Sequence, residues 1–422
     1  MRKPTLALFY QYNPWNCSIG GIQTLMNSFI KCAPSEFDLR LVGTGYDSKQ
    51  AAGQWHSESF DGRKLSFMPL FYLPDDNVRR LVPTSVRYTA ALRKHDLSAD
   101  FMHFYRLEYA LATSSWQGEK TLFIQNDIRQ QVLLNQDKSA ILWQKFPQLY
   151  FSLERRMLGQ FDQILSCNAN STAFYQEQYP TIANRVHAFS NTVDPEKFYP
   201  LTPADREQQR QQFAQELGLP TRTKFILFAG RLHPQKDPLL LLNAIAELQT
   251  QLQNTDAHLL VAGAGELDGA MRQEIDRLGI GQRVTMLGAV PAARIAQIDQ
   301  IASVFVLSSA YEGLPFAALE VLASGTPIVT TRCGDTPKLL SENNGVICEE
   351  RTPIALAQAL NQILSHPECY PASACVAAAQ PYSAQVVLGQ VFEDMLERWA
   401  SSRGSGVTAP APQPRLAVAS LP

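Results

Sequence analysis

Long apolar runs are missing from this 422-residue chain. No window approaches the roughly 18 apolar residues that a membrane-spanning helix needs. The start, Met-Arg-Lys-Pro-Thr-Leu-Ala-Leu-Phe-Tyr10, has only a short apolar run and no small-residue cleavage site, so no secretory leader is expected. Cysteine is scarce too. The seven residues Cys17, Cys32, Cys167, Cys333, Cys348, Cys369 and Cys375 are odd in number and include no CxxC pair. This excludes a disulfide framework and a zinc knuckle, and it points to the reducing cytoplasm. Charge of one sign is not in excess: 37 Lys+Arg stand against 39 Asp+Glu, a net −2. Residues 1–200 hold 21 basic and 18 acidic side chains (+3), and 201–422 hold 16 and 21 (−5). A nucleic-acid binder concentrates a basic face, and this asymmetry is too mild for one. Several motifs are absent as well. No glycine-rich loop ends in Gly-Lys-Ser/Thr, Gly43-Thr-Gly45 lacks the rest of a dinucleotide fingerprint, and no Gly-x-Ser-x-Gly elbow occurs. No histidine pair has metal-ligand spacing, so neither a metal nor a resident cofactor is expected.

What is present is a normal globular balance, 45% apolar and 18% charged. The length exceeds one ordinary core and predicts two domains. Short apolar runs alternate with helical patterns: Thr5–Tyr10 then Gly21–Lys31, and later Leu39–Val42, Thr121–Gln125, Gln163–Cys167 and Val186–Phe189. A second series follows Asn191–Pro200. It runs through Phe225–Ala229, Pro238–Gln251, His258–Ala262, Gly269–Leu278, Val284–Leu287, Val304–Leu307, Phe316–Ser324 and Pro327–Thr330. Such alternation predicts an α/β chain with two doubly wound, Rossmann-like parallel sheets. The expected division is 1–194, then 195–380, a helix over 381–400 and a disordered tail over 401–422. The tail is rich in Ser, Ala, Pro and Gly, which leaves little to bury against ordering entropy. Within the helix, Val387, Val391, Met395 and Trp399 recur four apart.

Chemistry concentrates in Phe225–Glu320. The strand Phe225–Ala229 ends at Gly230 and is followed by Arg231, Lys236 and a helix after Pro238. Ligands bind at the carboxyl ends of parallel strands. Two cations there suit a diphosphate, Arg as a fork and Lys as a point charge. Two plain surface cations would look the same in isolation. Further on, Glu312 follows the strand Val304–Leu307, and Glu320 lies eight residues later inside the next helix. A helix beginning near Pro315 aims free N–H groups into the same crevice. Both carboxylates could accept hydrogen bonds from sugar hydroxyls. Glu320 has Leu319, Val321 and Leu322 beside it, so it is expected to be partly buried and to need partners. Near the start, Gly20-Gly21 would let backbone approach a phosphate, although a plain tight turn explains the pair equally well.

Together these motifs resemble the family 4 glycosyltransferases, retaining enzymes of the GT-B fold. The features, in order, are Gly20-Gly21, Asn191-Thr-Val-Asp194, Gly230-Arg231 with Lys236, Val261-Ala-Gly-Ala-Gly265, Leu287-Gly288 with Val290, and Glu312 with Glu320. The resemblance implies two Rossmann-like domains facing a cleft, with the C-terminal helix crossing back to the N-terminal domain. It implies an N-terminal acceptor domain, a C-terminal donor domain, and a UDP- or GDP-sugar as co-substrate. Arg231 and Lys236 would hold the diphosphate without a metal, and Glu312 with Gly313, Leu314 and Phe316 would contact the donor sugar. Glu320 would reach the ribose. Val290 would line the base, and Gly230, Gly265, Gly20 and Gly21 would lie against the donor. The acceptor would be a glycan or a lipid-linked glycan in polysaccharide or glycoconjugate synthesis.

Three departures stand out. The histidine that many members carry at one N-terminal-domain strand end is replaced by Gln125-Asn126-Asp127, of which Asn126 is the expected substrate contact. His103, at an earlier strand end, reads as structural. The usual Glu-Gly-Phe-Gly is Glu312-Gly-Leu-Pro315, which removes one backbone donor. The missing histidine motivates an alternative from another class, a catalytically silent GT-B protein that binds glycan or scaffolds an assembly. Finally, Arg79, Arg80, Arg87, Arg93 and Lys94 accompany Leu81, Val82, Val86 and Leu92. This reads first as a solvated helix face and second as a peripheral contact with an anionic membrane at its inner, cytoplasmic face.

Overall fold

A computed structural model describes residues 2–16, 20–47, 50–73, 82–125, 147–166, 168–250 and 256–404. The chain forms two compact units. The first takes Met1–Ser190 and the chain from Gln385 onward, and the second takes Asn191–Ala384.

The first unit holds an eight-stranded sheet. Its strands are β1 (Thr5–Phe9), β2 (Asp38–Gly45), β3 (His56–Phe60), β4 (Arg63–Tyr72), β5 (Phe101–Phe104), β6 (Glu119–Ile124), β7 (Gln163–Ser166) and β8 (Val186–Ala188). The order is β3-β4-β2-β1-β5-β6-β7-β8, parallel throughout except for the β3–β4 pair. That edge hairpin is absent from the expected series. Its signal is Asp61-Gly62, whose φ values of 50° and 77° are those of a type I′ turn between paired Phe60 and Arg63.

The second unit holds β9 (Lys224–Ala229), β10 (Ala257–Ala262), β11 (Val284–Gly288), β12 (Val304–Leu307), β13 (Ile328–Thr331) and β14 (Gly345–Cys348). All are parallel, in the order β11-β10-β9-β12-β13-β14. Both faces are covered. Ile226 and Phe228 of β9 enter one apolar core, while Phe225 and Leu227 enter the other. The period-2 geometry of a strand splits a continuous apolar run between two cores in this way.

The units divide between Ser190 and Asn191 rather than after Asp194. Asn191 Nδ2 donates to the Leu314 carbonyl at 2.7 Å, and Val193 N donates to the Tyr382 carbonyl at 2.9 Å. Those bonds hold the expected linker in the second unit. The final helix runs Ala384–Gly404, starting after the expected 381 and passing the expected end at 400. Ser401 and Ser402 Oγ each donate at 2.9 Å to a carbonyl of the preceding turn, and continuing a formed helix costs little. The rest of the expected tail lies outside the described residues.

From Gln385 onward that helix belongs to the first unit. Phe392 packs against Phe29 and Phe37, with ring centroids 5.8 and 5.5 Å apart. His103 lies in the same core, 5.0 Å from both Phe29 and Phe123, and burial, aided by the positive charge of Arg398, lowers its pKa to about 3. It is a neutral core residue. Arg398 is itself deeply set, holding Glu119 through two 2.9 Å bonds and pairing with Asp394. Arg398→Met should therefore strand two carboxylates and cost about 3–5 kcal/mol in equilibrium urea denaturation. An unchanged midpoint would show that the cluster contributes nothing.

Candidate functional site

The second sheet reverses direction at β9: the chain runs outward through β10 and β11, then returns to lay β12 on the other side. This switch point opens a crevice at the carboxyl ends of β9 and β12. Lys236 follows β9 and Glu312 follows β12, and across that crevice Lys236 Nζ pairs with Glu312 Oε1. The pair is well covered, with side-chain exposures of 19% and 7%, so the two charges attract more strongly than at an open surface.

The neighbouring loops hold the pair. Ser309 Oγ donates to Glu312 Oε1 at 2.7 Å, and Thr331 Oγ1 donates to the Ser309 carbonyl at 2.7 Å. On the β9 side, Ser308 Oγ donates to the Lys236 carbonyl at 2.8 Å. Gln235 Nε2 donates to the Tyr311 carbonyl at 3.1 Å, and Ala310 N donates to the Gln235 carbonyl at 2.8 Å. Asp237, in the left-handed region at φ 43°, pairs with Arg351 and accepts from Leu240 N at 3.2 Å, opening the next helix. Ser309, Gln235 and Thr331 were not among the expected site residues: Gln235 and Thr331 act through partners distant in sequence, while Ser309 bonds Glu312 only three residues on.

Glu312 stands before the helix Phe316–Ala323, whose N-cap, Pro315, offers no side-chain cap. Among the described residues the N–H groups of Gly313, Leu314, Phe316 and Ala317 have no protein acceptor. The Leu314 side chain is core and its carbonyl is taken by Asn191, so only its amide faces a ligand role. Arg231 is exposed and, among the described residues, makes no hydrogen bond or ion pair. Gly230 lies against the Lys236 stem, where an added Cβ would sit 3.7 Å from Cε. Gly265 supports the crevice from behind: a Cβ there would come within 2.3 Å of the Leu232 carbonyl. Leu287, near the end of β11, and Val290, just after it, are partly buried on the same edge. These residues therefore share one edge with Lys236 and Glu312.

Glu320 lies one helix further in and does not touch the ion pair. Burial raises its pKa to about 7. Asp299 is its unforeseen neighbour. It is buried, neither of its carboxylate oxygens has a partner among the described residues, and burial and then Glu320 hold it well above the carboxylate range.

Gly20 and Gly21 open the helix Gly21–Cys32 after β1 of the first unit. Gly20 has an extended φ of −146°, which any residue adopts. Asn126 and Asp127 lie outside the described residues. Gln125 is described, and among the described residues its Nε2 is buried without a partner, as are Gln11 Oε1, Tyr105 OH and Arg106 Nε. These four follow the carboxyl ends of the adjacent strands β1, β5 and β6. Orphaned polar atoms clustered at one sheet edge mark a place for a polar ligand or water. The expected contact in this segment was Asn126, and Arg106 was not among the expected site residues. Of the basic stretch, Arg79 and Arg80 lie outside the described residues. Arg87 sits 4.5 Å over the Phe71 ring, and Arg93 donates to the Leu111 carbonyl at 3.2 Å. Among the described residues no cluster of three or more metal-ligating side chains occurs, and no helix is long and apolar enough to cross a membrane.

Two outcomes follow from these contacts. Asp299 and Glu320 have raised pKa values, so the folded state holds protons that the unfolded chain has released. Glu320's share of stability is complete below its ordinary 4.5 and is lost as pH rises through about 7. Urea midpoints at pH 5 and pH 8 should therefore differ more for the wild type than for Glu320→Gln; equal differences would refute the shift. Gly265→Ala should lower stability by about 1–3 kcal/mol in the same assay, because backbone must move to admit the methyl group.

Residues 209–378 match the family model for glycosyl transferases group 1. D-inositol 3-phosphate glycosyltransferase from Corynebacterium urealyticum is 31% identical over 218 residues, 50% of this chain and 50% of that protein. The Corynebacterium diphtheriae protein of the same name is 30% identical over 216 residues, again 50% of each. The chain thus spans about half the length of the curated relatives it matches. Two solved structures are similar along most of the chain. Sucrose-phosphate synthase from Thermosynechococcus elongatus superposes with a TM-score of 0.72 at 16% identity, covering 94% of this chain and 100% of that one. Anabaena HepE in complex with UDP-glucose gives 0.67 at 16%, covering 94% and 100%. At such identities the likeness speaks to fold, and the fold is GT-B, built from two Rossmann-like α/β domains.

Proposed function

We propose that this chain, whose residues 209–378 match the family model for glycosyl transferases group 1, moves a sugar with retention from a nucleoside-diphosphate donor to a glycan or lipid-linked acceptor. The observation that carries the reading is the Lys236–Glu312 pair at the switch point, beside four unspent backbone N–H groups. A cation at one strand edge suits the diphosphate of such a donor, and a carboxylate and a helix N-terminus beside it suit the hydroxyls of its sugar.

The diphosphate draws Lys236 and the exposed Arg231, whose charges stabilise the leaving group as the bond between sugar carbon and phosphate oxygen breaks. That electron pair leaves with the diphosphate. An acceptor hydroxyl forms the new bond to the same carbon, and its proton passes to the departing phosphate. Glu312, released from Lys236, accepts from sugar hydroxyls, and the amides of Gly313, Leu314 and Phe316 donate to them. Pro315 supplies no such donor. Glu320 accepts from the ribose, and Leu287–Val290 lies along the base. The two cations supply charge that a divalent metal would otherwise bring, so turnover is expected to persist in EDTA. A UDP donor is supported by the UDP-glucose complex of the similar Anabaena protein, and GDP remains in the screen. The relatives named for D-inositol 3-phosphate support a hydroxyl acceptor. In the first unit, Gln125 Nε2 and Arg106 Nε are unspent donors among the described residues, and Gln125 stands in the segment where many family 4 glycosyltransferases carry a histidine.

The test is nucleotide release from a panel of UDP-, GDP- and ADP-sugars, with and without cell glycans. One donor should turn over, and Lys236→Ala and Glu312→Ala should each lower kcat/KM about 10²–10³-fold, with a cooperative melting transition confirming that each variant is folded. Wild-type rates in both variants would remove the site assignment. Donor binding without turnover would favour the catalytically silent alternative.

A further inference from the structure

The opposite edge of the second sheet carries a cleft that the donor reading does not use. Arg222 and Lys224 border it at the start of β9, Ser303 lies before β12 and Pro327 before β13. Its volume is about 450 Å³, the size of a small-molecule site. The lining side chains include four cations, Arg206, Arg210, Arg222 and Lys224, and one carboxylate, Glu207.

Most of this charge is already engaged. Arg210 holds Glu207 at 2.6 Å, Arg222 holds Asp256 at 2.7 Å, and Lys224 Nζ donates to the Leu364 carbonyl at 2.7 Å. Arg206 differs. Its guanidinium bonds only the Ala302 carbonyl and the Thr326 hydroxyl, and no carboxylate reaches it among the described residues. Burial presses it below its ordinary pKa, opposed by the Cys375 thiol and reinforced by the charge of Arg210. A half-buried cation without a counterion is a place for an anion. The second observation is independent. Ser324 lines the same cleft at 2% exposure, and its Oγ has no partner among the described residues.

We propose that this cleft binds a small phosphate monoester, its phosphate on Arg206 and Ser324 Oγ and its body against the apolar wall. An arginine fork with a neighbouring hydroxyl suits phosphate oxygens, and the surplus positive charge suits a dianion. Ile301, Ile363, Tyr370 and Pro371 line the remainder and take an apolar or ring-shaped body. The site stands apart from the donor crevice, because the two lie at opposite ends of the same parallel strands. It therefore does not rest on the proposed transfer.

The probe is phenyl phosphate, with phenol as the uncharged control, titrated calorimetrically into the full chain. Phenyl phosphate should saturate with a Kd below about 1 mM and phenol should not. Ser324→Ala, which removes only the unspent hydroxyl, should weaken binding about threefold or more. Arg206→Gln should weaken it about tenfold or more, with melting curves to confirm that it folds. Saturating UDP should leave the affinity unchanged. The site is overturned by no saturation up to about 10 mM, by wild-type affinity in Ser324→Ala, or by competition from UDP.

Discussion

The ion pair between Lys236 and Glu312 ties together the two loops that meet where the second sheet reverses direction. Each charge is largely removed from water, which costs desolvation that mutual attraction only partly offsets. Such a pair is a poor way to gain stability. It is a good way to keep a cation and a carboxylate poised a few ångströms apart until a ligand competes for both. The surrounding polar contacts then make sense as scaffolding. Ser309 orients the carboxylate, Thr331 orients Ser309, and Gln235 with Ala310 laces one loop to the other.

Close backbone approach is the second constraint. A Cβ at Gly334 would meet the Gly313 carbonyl at 2.3 Å, and Gly334 has a φ of 64°. Glycine there lets the loop after β13 dock on the loop carrying Glu312, where Asp335 N donates to the Gly313 carbonyl at 2.9 Å. Behind this layer the buried carboxyl of Asp299 and the half-buried residue Glu320 oppose stability as they ionise. The same helix that begins beside Glu312 ends at Ser324, on the edge of the cationic cleft. One short element thus borders both ends of the sheet.

Much of the architecture was readable from residue order, because parallel strands buried on both faces appear as unbroken apolar runs. Phe225–Ala229, His258–Ala262 and Val304–Leu307 agree with the observed strands to within a residue. The hairpin β3–β4 was less readable. His56–Phe60 alternates half-buried and exposed residues at an edge, so no apolar run marks it, and only Asp61-Gly62 gives a local cue. His103 read as structural, and its aromatic surroundings account for that. The division between units escaped by a few residues, since it depends on where Asn191 and Val193 find partners far along the chain.

The sequence by itself determined the alternation of strands and helices, the two-unit organisation, and the places of Lys236, Glu312 and the glycines at strand ends. These follow from local rules: strand period, turn chemistry and the loop that follows each strand. Tertiary structure alone decided that Lys236 meets Glu312, that Asp299 lies beside Glu320, and that Arg206 and Ser324 share a cleft. Each of those facts joins residues through space, where strand order and burial set the distance. Phe225–Glu320 is therefore the span in which pattern and packing meet most closely: the pattern supplies the charges, and the packing decides which of them are already spent.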